Sequence, residues 1–197
     1  VTFHNGEPFN AATVKFAFER AAAADSTNKD KAVFANIVNI RATDDLTVVL
    51  TLKNPNPDFL FQIGQATAVI VEPKSAATNN TQPVGTGPFR LDSWAKGNNL
   101  VLARWDGFRD VAAIALRRVT IRFISDAAAQ VAALLAGDVD AMPRFDALPS
   151  VKQFQADKRF TVELGSTSGK GILAINNRRK PFDDVRVRRA LSHAVDR

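Results

Sequence analysis

A chain of 197 residues with 46% hydrophobic content is long enough to bury a sizeable core in one or two domains. The absence of cysteine excludes a disulfide framework and a thiolate metal site, and no run approaches the roughly 18 apolar residues that a membrane-spanning helix needs. The net charge of +6 is concentrated: residues 170–197 hold eight Lys/Arg against three Asp/Glu, while residues 1–169 hold eighteen against seventeen.

In chain order, Phe3 to Phe9 is a loop of turn formers with Asn5-Gly6 and Pro8. Asn10 is placed to cap a helix from Ala11 to Ala24, whose buried face is Val14, Ala17, Phe18 and Ala21. Two alternating runs, Asn36 to Ala42 and Leu46 to Leu52, flank Thr43-Asp44-Asp45 and read as a hairpin. The prolines of Asn54 to Asp58 break the pattern, and Phe59 to Gln65 is a short helix. Ala68 to Val71 is a short apolar run, Ser75 to Gln82 is a polar loop, and a boundary falls near Thr81 to Thr86.

A second hairpin follows, Phe89 to Trp94 and Asn99 to Arg104, with Trp94 expected in the core. Leu116 to Ile124 is a strand rich in β-branched residues. Asp126 caps a helix from Ala127 to Ala136, which ends at Gly137. Val139 to Met142 is a short strand, Leu148 to Gln155 a helix, and Arg159 to Leu164 and Gly171 to Ile175 are strands. Helices and strands mix without strict alternation, so the fold class is α/β of the mixed α+β kind.

The last seventeen residues, Pro181 to Arg197, hold a helix capped by Asp183 or Asp184. Val187, Ala190, Leu191 and Ala194 form one apolar stripe, with Arg186, Arg188 and Arg189 largely off it. On its own this is a surface helix with a solvated basic face. A compact domain rarely ends on a half-used amphipathic helix, which predicts a piece of a longer protein.

Little here points to catalysis. His4 and His193 are the only histidines and lack metal-ligand spacing, so they read as surface or packing residues. No Gly-x-Ser-x-Gly elbow is present, and the acidic residues are scattered. Gly85-Thr86-Gly87 lacks a third glycine and runs into Pro88, which has no N–H to offer a phosphate; it reads as a tight turn. The basic excess lies on one helix and its approach loop, without a nucleic-acid module, so no nucleic-acid partner is expected. No cofactor or metal is expected either.

Four phrases, in this order, resemble the family 5 extracellular solute-binding proteins, the peptide- and nickel-binding receptors of ABC importers. Val1 to Arg20 (VTFHNGEPFNAATVKFAFER) is similar to the family's strand end, glycine turn, Pro-Phe and helix. Pro83 to Phe89 (PVGTGPF) is similar to its Gly-Thr-Gly-Pro-aromatic turn. Val119 to Asp140 is similar to its strand, Asp-capped helix and Gly-x-x-Asp, and Pro181 to Arg197 to the entry of its second lobe. Two departures stand out. Phe89 and Phe108 occupy positions where the family commonly has Tyr, and Arg104 to Leu116 (RWDGFRDVAAIAL) lacks the usual Asn-Pro and Tyr-Trp.

The resemblance implies a partial periplasmic-binding-protein type II-like fold: one lobe plus a small extra subdomain, with the second lobe largely missing. Residues 1–81 would be the accessory subdomain, 82–177 part of the first lobe of the ligand clamp, and 178–197 the start of the second. It implies a periplasmic receptor without catalysis, monomeric and not inserted in the membrane, which closes on a small-molecule or peptide ligand and docks on an ABC permease. Peptides, nickel chelates, opines, glutathione and oligosaccharides are all ligand classes of the family, and this chain alone is expected to bind weakly.

Two crossover segments would line the cleft. In the first, Arg144 could grip a carboxylate, its alternative being a surface or interlobe salt bridge, and Phe145 could supply an apolar wall. In the second, Ser168, Gly169 and Ile172 could face a peptide-like ligand, while Arg104 and Trp105 are further candidates. A ligand-sensing domain of a transcription regulator and an enzyme on a similar fold are the alternatives from other classes.

Overall fold

The computed structural model describes residues 1–166 and 172–195. It falls into two compact units, Val1–Pro143 and Arg144–Arg197.

In the first unit, Asn10 opens α1 (Ala11–Ala22) through a reciprocal cap. Its side chain accepts from the Thr13 N–H at 3.2 Å, and the Thr13 hydroxyl accepts from the Asn10 N–H at 3.2 Å. The helix stops two residues before the expected end because Ala23 turns extended. Its apolar side meets α2 (Lys31–Ala35) and a hairpin of β1 (Ile37–Ala42) and β2 (Val48–Leu52). Asn36 clamps the open end of that hairpin, donating to the Asn54 carbonyl and accepting from the Asn54 N–H, both at 3.1 Å. The core joins Ala17, Phe18 and Ala21 of α1 to Phe34, Ile40 and Ala68, with the Phe18 and Phe34 rings 5.3 Å apart. Burying a ring such as Phe34, 1% exposed, contributes about 2–3 kcal/mol. The short helix α3 (Phe59–Ile63) and 3₁₀ turns at Ala66–Ala68 and Pro73–Ser75 close this region.

Glu72, only 1% exposed, sits at the head of the second of these turns. Its carboxylate accepts from the N–H groups of Lys74 (2.7 Å) and Ser75 (2.8 Å) and from Asn5 Nδ2 (2.9 Å). Burial alone would raise its pKa. The hydrogen bonds from Lys74, Ser75 and Asn5 outweigh burial and hold it below the ordinary glutamate value.

After the Gly85–Pro88 turn, β3 (Phe89–Ala95), β4 (Asn99–Arg104) and β5 (Arg118–Arg122) form an antiparallel sheet in that order. The register places Leu91, Trp94, Leu100, Leu102, Val119 and Ile121 on one face. A bulge between Leu91 and Ser93 brings Trp94 onto that face. Trp94 is nevertheless 39% exposed, not a core residue as the sequence suggests: the face is left partly open, and the Lys96 ammonium stands 5.3 Å from the ring centroid. Helix α4 (Ala127–Ala136) starts where Asp126 Oδ1 accepts from the Ala129 N–H at 2.7 Å. It ends at Gly137, whose φ of +76° suits glycine.

The second unit holds a 3₁₀ turn (Leu148–Ser150), α5 (Val151–Ala156) and α6 (Val185–Ala194). Phe154, 3% exposed, is its centre, with Phe145 and Phe160 edge-on at 5.4 and 4.9 Å. Asp184 caps α6, accepting from the Arg186 N–H at 2.8 Å, and no residue of α6 is buried. Three expected strands do not form. Residues 139–142, 159–164 and the described part of 171–175 carry no ladder, since no described segment lies alongside to supply the hydrogen bonds a strand requires.

Candidate functional site

The first crossover segment, Met142 to Phe145, follows the turn that ends α4. Gly137 reverses the chain, the Asp138 N–H returns to the Ala133 carbonyl at 2.9 Å, and Arg122 Nη1 donates to the Asp138 carbonyl at 3.4 Å. This ties the turn after α4 to β5. At the head of the second unit the Arg144 side chain is 90% exposed, and its Nε lies 3.4 Å from the Asp146 carboxylate. The guanidinium is therefore open to an anionic partner, with only an exposed ion pair to displace. Phe145 is half-buried, and its ring stands edge-on to that of Phe154. The structure thus joins Phe145 to an aromatic cluster that the sequence did not reveal. Ile172 is 84% exposed, and Ser168 and Gly169 lie outside the described residues.

Arg104 belongs to the first unit and is committed locally. Its Nε donates to Asp106 and its Nη1 to the Ile114 carbonyl, both at 3.2 Å. Its neighbour Trp105 does more. A cavity of about 390 Å³ is lined by Thr2, Thr86, Trp105, Gly107, Phe108 and Arg109, among others. The Trp105 ring occupies the space a side chain at Gly107 would need, since a Cβ there would stand 2.7 Å from the ring carbons. The His4 ring meets Trp105 edge-on at 4.9 Å. Chemically the cavity offers aromatic walls, the threonines Thr2 and Thr86 and the Arg109 guanidinium, 3.2 Å from Asp110. Phe108 and Arg109 are not among the site residues that the sequence suggests. The only sequence signal was the departure RWDGFRD itself, two aromatics three residues apart around a glycine.

A second cavity, about 280 Å³, opens beside α1 among Arg20, Asp25, Asn28 and Thr67. Among the described residues no three His, Cys, Asp or Glu side chains gather as a metal site would require, and no helix is long and apolar enough to cross a membrane.

Comparison with known proteins gives the context. The family described as bacterial extracellular solute-binding proteins, family 5 Middle, matches residues 1–197. A glutathione-binding protein of Pectobacterium atrosepticum is 29% identical over 100% of this chain, and the match spans 39% of that relative's length. A nickel ABC transporter structure from Bacillus halodurans is 35% identical, with a TM-score of 0.77 over 100% of this chain and 40% of its own. The binding protein DppA from Helicobacter pylori, solved with a peptide, is 26% identical, with a TM-score of 0.81 over 100% of this chain and 43% of its own. The chain thus has the mixed α/β fold of part of a periplasmic binding protein.

Proposed function

We propose a receptor function from one premise: the chain belongs to the bacterial extracellular solute-binding proteins of family 5. It acts as the solute-binding component of an ABC importer, capturing a peptide-like or related small solute in a two-lobe cleft and delivering it to the permease from the periplasm. The family match over all 197 residues carries this reading. The relatives' ligands, glutathione, nickel and a peptide, mark the range from which the solute is drawn. Binding, not turnover, is the activity, and the protein works as a monomer.

Residues 1–81 serve as the accessory subdomain, 82–177 as part of the first lobe and 178–197 as the start of the second. Arg144, Phe145, Ser168, Gly169, Ile172 and Arg104 are the proposed ligand contacts. The exposure of Arg144 favours a carboxylate-bearing solute, because its exposed pair with Asp146 is weak enough to exchange. The alternative of a sensor domain in a transcription regulator has no observation in its favour.

Native mass spectrometry of the full-length protein, purified gently from its source, tests the reading. A retained mass that leaves on denaturation is the expected result. Turnover on a peptidase or esterase panel, with no solute retained and none bound in a thermal-shift screen, would overturn it.

A further inference from the structure

The loop before α1 is a closed unit. Thr2 bridges Pro8, the Phe3 N–H donates to the Glu7 carbonyl at 2.7 Å, and Phe3 is 1% exposed against Phe9. The loop is tied down on two sides. Toward the 72–75 turn, Asn5 donates to Glu72 and Glu7 pairs with Lys74. Toward the 85–88 turn, His4 makes three hydrogen bonds. Its backbone N–H donates to the Gly85 carbonyl at 2.8 Å, the Gly85 N–H donates to its Nδ1 at 3.3 Å, and its Nε2 lies 2.9 Å from the Gly87 carbonyl.

These partners dictate a protonation state. A backbone N–H can only donate, so Nδ1 must be bare; a carbonyl can only accept, so Nε2 must carry the proton. The same turn is held from behind by the Trp105 N–H, which donates to the Pro88 carbonyl at 2.8 Å, one residue before β3 begins. We propose that His4 is a proton-operated latch: as the neutral Nε2–H tautomer it fastens the turn that launches the β3–β4–β5 sheet to the first loop, and a second proton on the ring unfastens it.

An imidazolium has no acceptor, so the Gly85 N–H loses its partner and faces a proton instead. The charged groups around the latch are already engaged. On its own loop Glu7 pairs with Lys74, and on the segment carrying Trp105 Arg104 pairs with Asp106 and Arg109 with Asp110. The Glu72 carboxylate, across the 72–75 turn, is taken by Asn5, Lys74 and Ser75. The 85–88 turn itself carries no titratable side chain. The hydrogen-bond partners of the His4 ring are backbone groups, so nothing anionic bonds to the imidazolium when it forms.

NMR of the chain from pH 8 to pH 5 tests this through ring ¹⁵N shifts, which report the tautomer, and the exchange protection of the Gly85 amide. The Nε2–H tautomer is expected at pH 8. The Gly85 protection factor is expected to fall about tenfold, the scale of one lost hydrogen bond, with the midpoint of the His4 ring titration and not that of His193. An Nδ1–H tautomer at pH 8, or protection that survives His4 protonation, would overturn the latch. In a His4→Asn variant the side-chain oxygen can take the place of Nδ1 without titrating, so protection is expected to be independent of pH. The same acid loss in that variant would also sink the proposal.

Discussion

α1 and α6 are two helices of one design with opposite outcomes. Each starts at a polar side chain that accepts from a backbone N–H in its first turn, and each has an apolar stripe at helical spacing. α1 buries Ala11, Thr13, Ala17, Phe18 and Ala21; α6 fully buries none of its residues, and Val187 and Leu191 on its stripe are half-buried. The difference lies in what faces them. α1 finds a hairpin and the Phe34 ring, while in α6 the cap, the Arg186–Asp184 pair and the bonds from Arg188 Nη1 to the Phe182 and Asp183 carbonyls stand in place of buried side chains. Amphipathicity states that a helix can be buried, and its surroundings decide whether it is.

The sharpest way to break this contrast is to truncate each side. Phe34→Ala is expected to lose about 3–5 kcal/mol in urea unfolding, while Leu191→Ala, at a half-buried position, loses about 1 kcal/mol or less. Comparable losses would mean that α6 is packed after all.

Next in size is Glu72, which anchors the α1 side. Its folded pKa lies below the unfolded value of 4.5, so its contribution is complete above that pH and disappears as pH falls through the folded value. Glu72→Gln is expected to cost about 1–3 kcal/mol at pH 7 and to flatten the acid limb of stability; an unchanged limb would assign acid sensitivity elsewhere.

Asn10→Ala removes the reciprocal cap of α1 and is expected to cost about 1 kcal/mol in the same assay. The smallest effect belongs to Asp184→Asn on α6. Hydrogen bonds from the exposed Arg186 side chain and its backbone hold that half-buried carboxylate below its ordinary value, and salt screens such a pair. Its effect is expected to shrink further as salt rises; a loss as large as that from Asn10→Ala would show that the two caps are equivalent.

Much of this architecture is legible in the residues. The hairpin of β1 and β2, the pairing of β3 with β4, and α4 between Asp126 and Gly137 all follow from local signals: alternation, turn formers and caps act within a few residues. The failures share a cause. Residues 139–142 and 159–164 alternate as strands do, but a strand also needs a neighbour, and alternation says nothing about one. Trp94 is apolar enough for a core, yet the face it joins is left partly open. Of the candidate site, Arg144 is suggested by the resemblance, which places a crossover segment after Gly-x-x-Asp. The cavity walled by Trp105 and Phe108 could not be read there, because Thr2, about a hundred residues earlier, and Thr86 complete its lining.

That separation has a consequence during synthesis. The loop of residues 2–8 is completed by partners 67 and 83 residues later, Glu72 for Asn5 and Gly87 for His4. A ribosome adding about 5–20 residues per second leaves roughly 4 to 17 seconds between the emergence of Phe3 and that of the turn that His4 grips. Through that interval the loop stands without the partners that complete it, and the ring of Phe3, destined to be 1% exposed, is not yet enclosed.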